Sequence, residues 1–529
     1  MDVRLRDQRL RRRAAAGRPD PPPAVADDAR PRRAGAGRLA EPARVSAKQL
    51  VLGAFEELTP SFISNGWPHE RSDPAGFAGL PYWQELSRQL DAAGFDFLFF
   101  ADALGYPMHE QVSPSGEVTF EIPDVVVREA VQFPVHDPLT IVSGLAATVE
   151  RLGFVVTAST TAEHPFLLAR RFASLDHLTA GRIGWNVVTS DMQTALVRLL
   201  GQTDVTPHDE RYARADEFVD LTLKLWEGGW SDDAAVVDKA TRVFTDPSKV
   251  HRITHEGRYF SLDGLFPVSP SLQRTPTLFQ AGSSASGREF ASRIAECVFI
   301  QERDPAQAAR TVRDIRDRVE RRGRDRDSVK IINSISVVVG ATDEEAQAAR
   351  RALTAAPSRD AMAALFLGWS GVNLLGLDPA TPIDELSTEV GQTTLAMYQG
   401  QGATVGSVLD RLAETLGGTK ITGTAEHAAD EIETLARETD VDGFLIEHSY
   451  GGLATYREFI DGVMPLLRER GLLPAEPRGG TLRERLTGTP TPRLGPAHPG
   501  AGFRPGAGTA AYPGGAADPA APPASAAAG

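Results

Sequence analysis

A single cysteine, Cys297, stands in a chain of 529 residues. It excludes an intramolecular disulfide and any cysteine-rich metal site. Set in the apolar run Ala295 to Ile300, it reads as a buried, inert thiol. No stretch supplies the ~20 consecutive apolar residues that a membrane span requires. Positive charge is not in excess either: 56 Lys and Arg face 70 Asp and Glu, a formal net charge of −14. Nucleic-acid binding, which needs a basic face to neutralise phosphates, is therefore disfavoured. HExxH, paired-cysteine and GxSxG patterns are missing and the histidines are scattered, so metal-assisted hydrolysis and acyl transfer have little support.

What is present suits a large enzyme core, with 41% hydrophobic and 24% charged residues. Residues 1–46 are rich in Arg and Pro and lack the apolar run that a secretory signal carries, so a disordered extension is expected there. From Pro474 to Gly529 the chain is Pro, Gly and Ala with few large apolar side chains, and disorder is expected again. The folded region is then 47–473, in a cytoplasmic setting.

Within that region apolar strand-like runs alternate with amphipathic helical patterns. The strands read as Leu50 to Phe55, Phe95 to Ala101, Gly153 to Ala158, Arg182 to Thr189, Thr277 to Ala281, Cys297 to Gln301, Lys330 to Val339 and Val441 to Glu447. Eight strands with intervening helices predict a (β/α)8 TIM barrel of the α/β class. The charged helix from Asp304 to Arg322 needs no ligand to explain it; its Glu320 and arginines read as a solvated outer face. Two connections, 228–276 and 340–422, are too long for barrel loops and are expected as insertions at the mouth.

Strand ends carry the candidate site. Thr157 and Ser159 end the third strand on one face, where each could donate to a ligand carbonyl or satisfy backbone groups. Asp102 ends an apolar strand, as a ligand contact or a cap. Asn186 is an amide on a barrel strand, costly to bury without a partner. His208 and Tyr212 lie four residues apart at the start of a helix, where the dipole favours an anion; a helix cap plus a core tyrosine is the plainer alternative. Ala281-Gly-Ser283-Ser284-Ala-Ser286-Gly287 follows the fifth strand and opens a helix, a run whose small residues let backbone amides approach a phosphate. It has neither the P-loop lysine nor the spacing of the dinucleotide fingerprint.

In this order, FDFLFFAD, TASTTAEHPFLLARRFASLDHLTAGRIGWNVVTS, HDERYARADEF and FQAGSSASG closely resemble the flavin-dependent monooxygenases of the bacterial-luciferase-like superfamily. The nearest branch holds nitrilotriacetate monooxygenase, dibenzothiophene-sulfone monooxygenase and pristinamycin synthase subunits. The resemblance implies an FMN-dependent monooxygenase that uses reduced FMN (FMNH2) and O2 to oxidise a small organic substrate. Asp102, Thr157, Ser159 and Asn186 would meet the flavin ring, and His208, Tyr212, Ser283 and Ser284 the ribityl-phosphate end. No nicotinamide motif is evident, so reduced FMN is expected from a separate NAD(P)H:flavin reductase. A homodimer or homotetramer is implied as well. An F420-dependent oxidoreductase or a non-catalytic flavin-binding subunit on the same barrel are the alternatives.

For proton transfer the candidates are His69, in the long loop after strand one, and His164, in Glu163-His164-Pro165. The family has an aromatic-plus-histidine cluster in the first of these loops, and the Trp67-Pro-His69 pattern departs from its usual form. His448, after strand eight, is a further mouth-facing candidate. Trp67, Phe55, Tyr106 and Trp369 are candidate cavity walls, each with core packing as the alternative.

Overall fold

The computed structural model describes residues 48–60, 65–112, 115, 118–190, 193–201, 206–282, 284–388, 395–449 and 453–506. Of the two expected tails, residues 1–46 and the part of 474–529 from 507 onward lie outside them. Eight parallel strands form the centre: β1 (Val51–Glu57), β2 (Phe97–Ala101), β3 (Gly153–Ser159), β4 (Ile183–Val188), β5 (Thr277–Ala281), β6 (Cys297–Ile300), β7 (Lys330–Val339) and β8 (Gly443–Glu447). Each pairs with the next and β8 pairs with β1, so the sheet closes into the expected TIM barrel. A further strand, Thr419–Gly423, pairs with β7 beyond the point where β6 has ended.

Alternation along the strands splits the apolar residues into two populations. Phe55, Phe97, Phe99, Phe279 and Phe299 fill the interior, with ring centroids 5.1 Å apart for Phe99 and Phe299 and 5.2 Å for Phe97 and Phe279. Gly53 is required here, because a Cβ would stand 2.3 Å from the Phe97 ring. The opposite faces, with Leu52, Leu98, Phe154 and Trp185, meet the surrounding helices.

Those helices include α1 (Leu80–Ala93), α2 (Pro165–Leu178), α3 (His208–Leu223), α4 (Ala285–Ile294), α5 (Pro305–Arg321) and, after a helix α6 (Arg359–Ser370) that packs elsewhere, α7 (Ala425–Thr439). In α5, Asp304 caps the amides of Ala306 and Gln307, and Pro305 occupies the first turn, where its missing N–H costs nothing. Ala308, Val312, Ile315 and Val319 then recur at helical spacing and are buried. Each of the larger three contributes about 1.5–3 kcal/mol by leaving water. The expectation of a wholly solvated arginine face fails at Arg316, which is buried and lies 3.1 Å from Asp442.

The insertions behave differently from each other. Residues 340–422 contribute α6 and the helix Val405–Thr415, which pack with Val125, Val126 and Val131 into a second core. The connection after β2 is thus part of this covering unit, which sequence reasoning missed. Residues 228–276 are not part of that second core. Their hairpin, Arg252–Glu256 with Ser261–Leu265, clasps the flank of α3: His255 lies 3.2 Å from Glu217, and the Phe260 ring packs 5.5 Å from Phe218. Only its tip reaches the start of α3, where the Tyr259 hydroxyl donates to Glu210 at 2.7 Å.

The expected disorder from Pro474 onward is overturned for residues 474–506. The few large apolar residues there are spent on the barrel's lower end, where Leu482 and Leu486 join the interior cluster and Thr481 and Glu484 form a capping box. Between those leucines Arg483 is 1% exposed; its Nε meets Glu296 Oε1 at 2.6 Å and its Nη2 meets Oε2 at 2.8 Å. Removing one partner of such a pair strands the other as a buried charge. Arg483→Met is therefore expected to lower stability by about 3–5 kcal/mol in chemical denaturation, and a loss no larger than that of an exposed arginine would refute the strap's role.

Candidate active site

The mouth is built where inward-facing positions pass from apolar to polar. On β3 and β4, Thr157 and Asn186 are register partners, and Asn186 Nδ2 donates to Thr157 Oγ1 at 3.0 Å. Asn186 is 3% exposed, and its Oδ1 accepts no hydrogen bond among the described residues. An orphaned buried acceptor of this kind costs about 1–3 kcal/mol unless a ligand satisfies it. Ser159 resolves toward the backbone alternative: its Oγ accepts from the amides of Thr161 at 3.1 Å and Ala162 at 3.4 Å, and from the Ser190 hydroxyl at 2.6 Å.

Asp102 follows β2. Desolvation by burial raises its pKa to about 7, and the neighbouring carboxylates of Asp137 and Glu163 push in the same direction. Burial and these two carboxylates thus both favour the neutral form of the carboxyl.

Tyr212 projects from the first turns of α3 onto the start of α4. Its ring packs 5.8 Å from Phe290, and a Cβ on Gly287 would stand 3.2 Å from its hydroxyl. Ser284 caps α4, its Oγ accepting the Gly287 amide at 2.9 Å. The first amides of α4 have no acceptor within the helix. A cleft of about 360 Å³ opens between the two helices, lined by Tyr212, Asp216, Ala285, Ser286, Phe290 and Arg293 among others. Ser283 and the side chain of His208 lie outside the described residues, though His208 opens α3.

The histidine candidates separate. His69 is buried in the loop after β1, its Nδ1 accepting the Arg71 amide at 3.2 Å, and burial lowers its pKa below the usual imidazole value. His164 is exposed and caps α2, its Nδ1 accepting the Phe166 amide at 3.2 Å, a structural task. His448 is the correction. It continues the outward face of β8 and pairs with Glu56 at 2.9 Å, away from the barrel axis. Burial pushes its pKa down, yet the Glu56 carboxylate outweighs this and raises it.

Of the candidate cavity walls, Phe55 is interior packing, while Tyr106 and Trp369 are partly buried against the covering core. Trp67 donates from Nε1 to the Glu129 carbonyl at 2.7 Å and so ties the loop after β1 to that unit.

Sequence reasoning missed a second polar group across the mouth. Glu447 ends β8 facing inward, and its Oε1 accepts from Ser334 Oγ at 2.8 Å and the Gly418 amide at 2.9 Å. Lys420 stands 3.6 Å from Oε2. The signal was available: an acidic residue closing an apolar strand is the pattern that singled out Asp102.

The family described as luciferase-like monooxygenase matches residues 61–443. Among curated relatives, the dimethyl-sulfide monooxygenase of Hyphomicrobium sulfonivorans is 39% identical over 86% of this chain and 94% of its own length. The long-chain alkane monooxygenase of Geobacillus thermodenitrificans is 38% identical over 86% and 98%. A crystal structure of a riboflavin lyase, solved with modified FMN and riboflavin, superposes with a TM-score of 0.80 at 40% identity, covering 87% of this chain and all of that one.

Asp102 also sets a pH dependence. Its neutral carboxyl contributes stability that is fully present below the unfolded value near 4 and is lost as pH rises through about 7. Asn imitates the protonated form. Thermal unfolding of Asp102→Asn against wild type should therefore show the variant gaining from pH 4.5 to about 7 and levelling off above it, and a constant gap across that range would contradict the assignment. With its barrel, its mouth and its relatives in agreement over most of its length, the chain belongs to the luciferase-like monooxygenase family.

Proposed function

We propose that the protein is an FMN-dependent monooxygenase that receives reduced FMN from a separate NAD(P)H:flavin reductase and inserts one atom of O2 into a small organic substrate. The observation that carries this reading is the unmatched acceptor of Asn186, buried beside Thr157 at the inner mouth. The residues present fit a flavin. Thr157 and Asn186 offer ring contacts from β3 and β4, and we assign Asp102, which follows the neighbouring β2, to the same ring by resemblance. Tyr212, Ser284 and the first amides of α4 offer an anion site, and we assign His208 and Ser283 to it by the same resemblance.

Bound reduced flavin supplies the reducing power and the reaction with O2. The protein's own part is position and dryness. The apolar floor of Phe55, Phe99 and Phe299 and the covering unit keep bulk water from the inner mouth. Burial disfavours a charged His69, and because its Nδ1 accepts the Arg71 amide, the neutral ring holds its proton on Nε2, where it can donate a hydrogen bond to a ligand.

Anaerobic titration of reduced FMN into the full chain tests the cofactor. His208→Ala, Ser283→Ala and Tyr212→Phe should each weaken binding by about 1–3 kcal/mol, roughly five- to 150-fold. Unchanged affinity in all three would remove the proposed site. Consumption of reduced FMN that does not depend on O2 would remove the oxygenase.

A further inference from the structure

Lys420 is the cation of the mouth that the flavin reading does not use. Its orientation follows from register. Lys420 pairs with Ser336 of β7, on the inward face that also carries Ser334, whereas Ile421 pairs with Val337 and joins the helix-facing core. Strand Thr419–Gly423 takes the place beside β7 that β6 has vacated, so its inward face looks onto the mouth. Around the barrel this is the β7–β8 side, opposite β3 and β4 with Thr157 and Asn186.

The position of Lys420 is tightly set. Gly417 and Gly418 turn the chain directly over Glu447: a Cβ on Gly417 would stand 2.3 Å from Glu447 Oε2, and one on Gly418 would stand 1.8 Å from the Ser334 carbonyl. Only glycine permits that approach. Glu447 is meanwhile satisfied by Ser334 and the Gly418 amide. It lies 3.6 Å from Lys420 Nζ, an ion-pair distance but longer than a hydrogen bond. Glu447 Oε2 engages the ammonium only loosely, so N–H groups remain for a ligand on a side chain that is still 26% exposed. Burial depresses the Lys420 pKa against the opposing pull of Glu447, and the Arg350 and Arg303 charges act in the same sense as burial. Lys420, Arg350 and Arg303 thus bring three cations to this side, facing Glu447 and, from β1, the inward Glu57.

We infer that Lys420 is a specificity-determining residue that binds an anionic group of the substrate, a carboxylate or sulfonate, on the side of the mouth opposite Asn186. The inference deepens the oxygenase reading by naming a substrate class and rests on that reading only for the ligand's being a substrate. A charge-assisted hydrogen bond in a desolvated site discriminates strongly against a neutral isostere.

The test uses methanesulfonate and dimethyl sulfone, nearly equal in size and differing in charge, titrated into the full chain with and without FMN. Methanesulfonate should bind about tenfold or more tightly than the sulfone. Lys420→Met should bring the two within about twofold, and Lys420→Arg should keep the preference. Equal affinities, no detectable binding of the anion, or a preference that survives Lys420→Met would overturn the assignment. A chain that binds no FMN yet still selects the anion through Lys420 would sink the flavin reading and leave the anion site standing.

Discussion

Side-chain alternation in a closed parallel barrel is the constraint on which the rest of this molecule depends. Eight strands share one interior, so every second residue must either fill it or line its mouth. The register that stacks Phe55 and Leu445 in the barrel puts Glu57 and Glu447 two residues further up, and the register that buries Val155 brings Thr157 beside Asn186. A slip of one residue on any strand would send its phenylalanine to the helices and its polar tip out of the site. Packing and function are thus specified by the same pattern and cannot drift separately.

Polar groups placed in so dry a mouth need partners, and the two sides find them differently. On the β7–β8 side the Glu447 carboxylate is held by a hydroxyl, an amide and a nearby ammonium. On the β2–β4 side burial and nearby carboxylates push Asp102 toward its neutral form, while Asn186 keeps an oxygen unmatched among the described residues. Charge of both signs is therefore available on one side and suppressed on the other. A neutral, hydrogen-bonding ring system suits the second side, and a charged ligand group suits the first.

The barrel itself was legible in the sequence, because its eight apolar runs are short, strand-sized and separated by helices with clear periodicity. So was much of the mouth, since Asp102, Thr157, Ser159 and Asn186 close such runs. Legibility failed where meaning depends on contacts between distant segments. His448 follows a strand end that faces the mouth, yet the parity of Phe444 and Ile446 turns it outward onto Glu56. Residues 228–276 looked like a mouth insertion by length alone, yet Glu217 and Phe218 on α3 draw their hairpin to the barrel's flank. Lys420 lay inside what reads as a long insertion, and only its pairing with β7 shows that it belongs to the mouth.

The strap from 474 to 506 shows why composition misleads about order. Its few large apolar residues would not sustain a core of their own, but they do not need to. Gly153 and Gly184 leave room at the lower end, where a Cβ on either would stand 2.8 Å or 3.1 Å from Leu482. Two leucines therefore suffice to plug the interior. Arg483 then reaches Glu296, whose Oε2 also accepts the Leu278 amide of β5 at 3.1 Å. At its other end β5 runs directly into Ala281, Gly282 and the start of α4, where the proposed phosphate site begins. The strand that presents this loop is anchored at its base by the tail, so the barrel's lower end supplies the rigidity that the mouth requires.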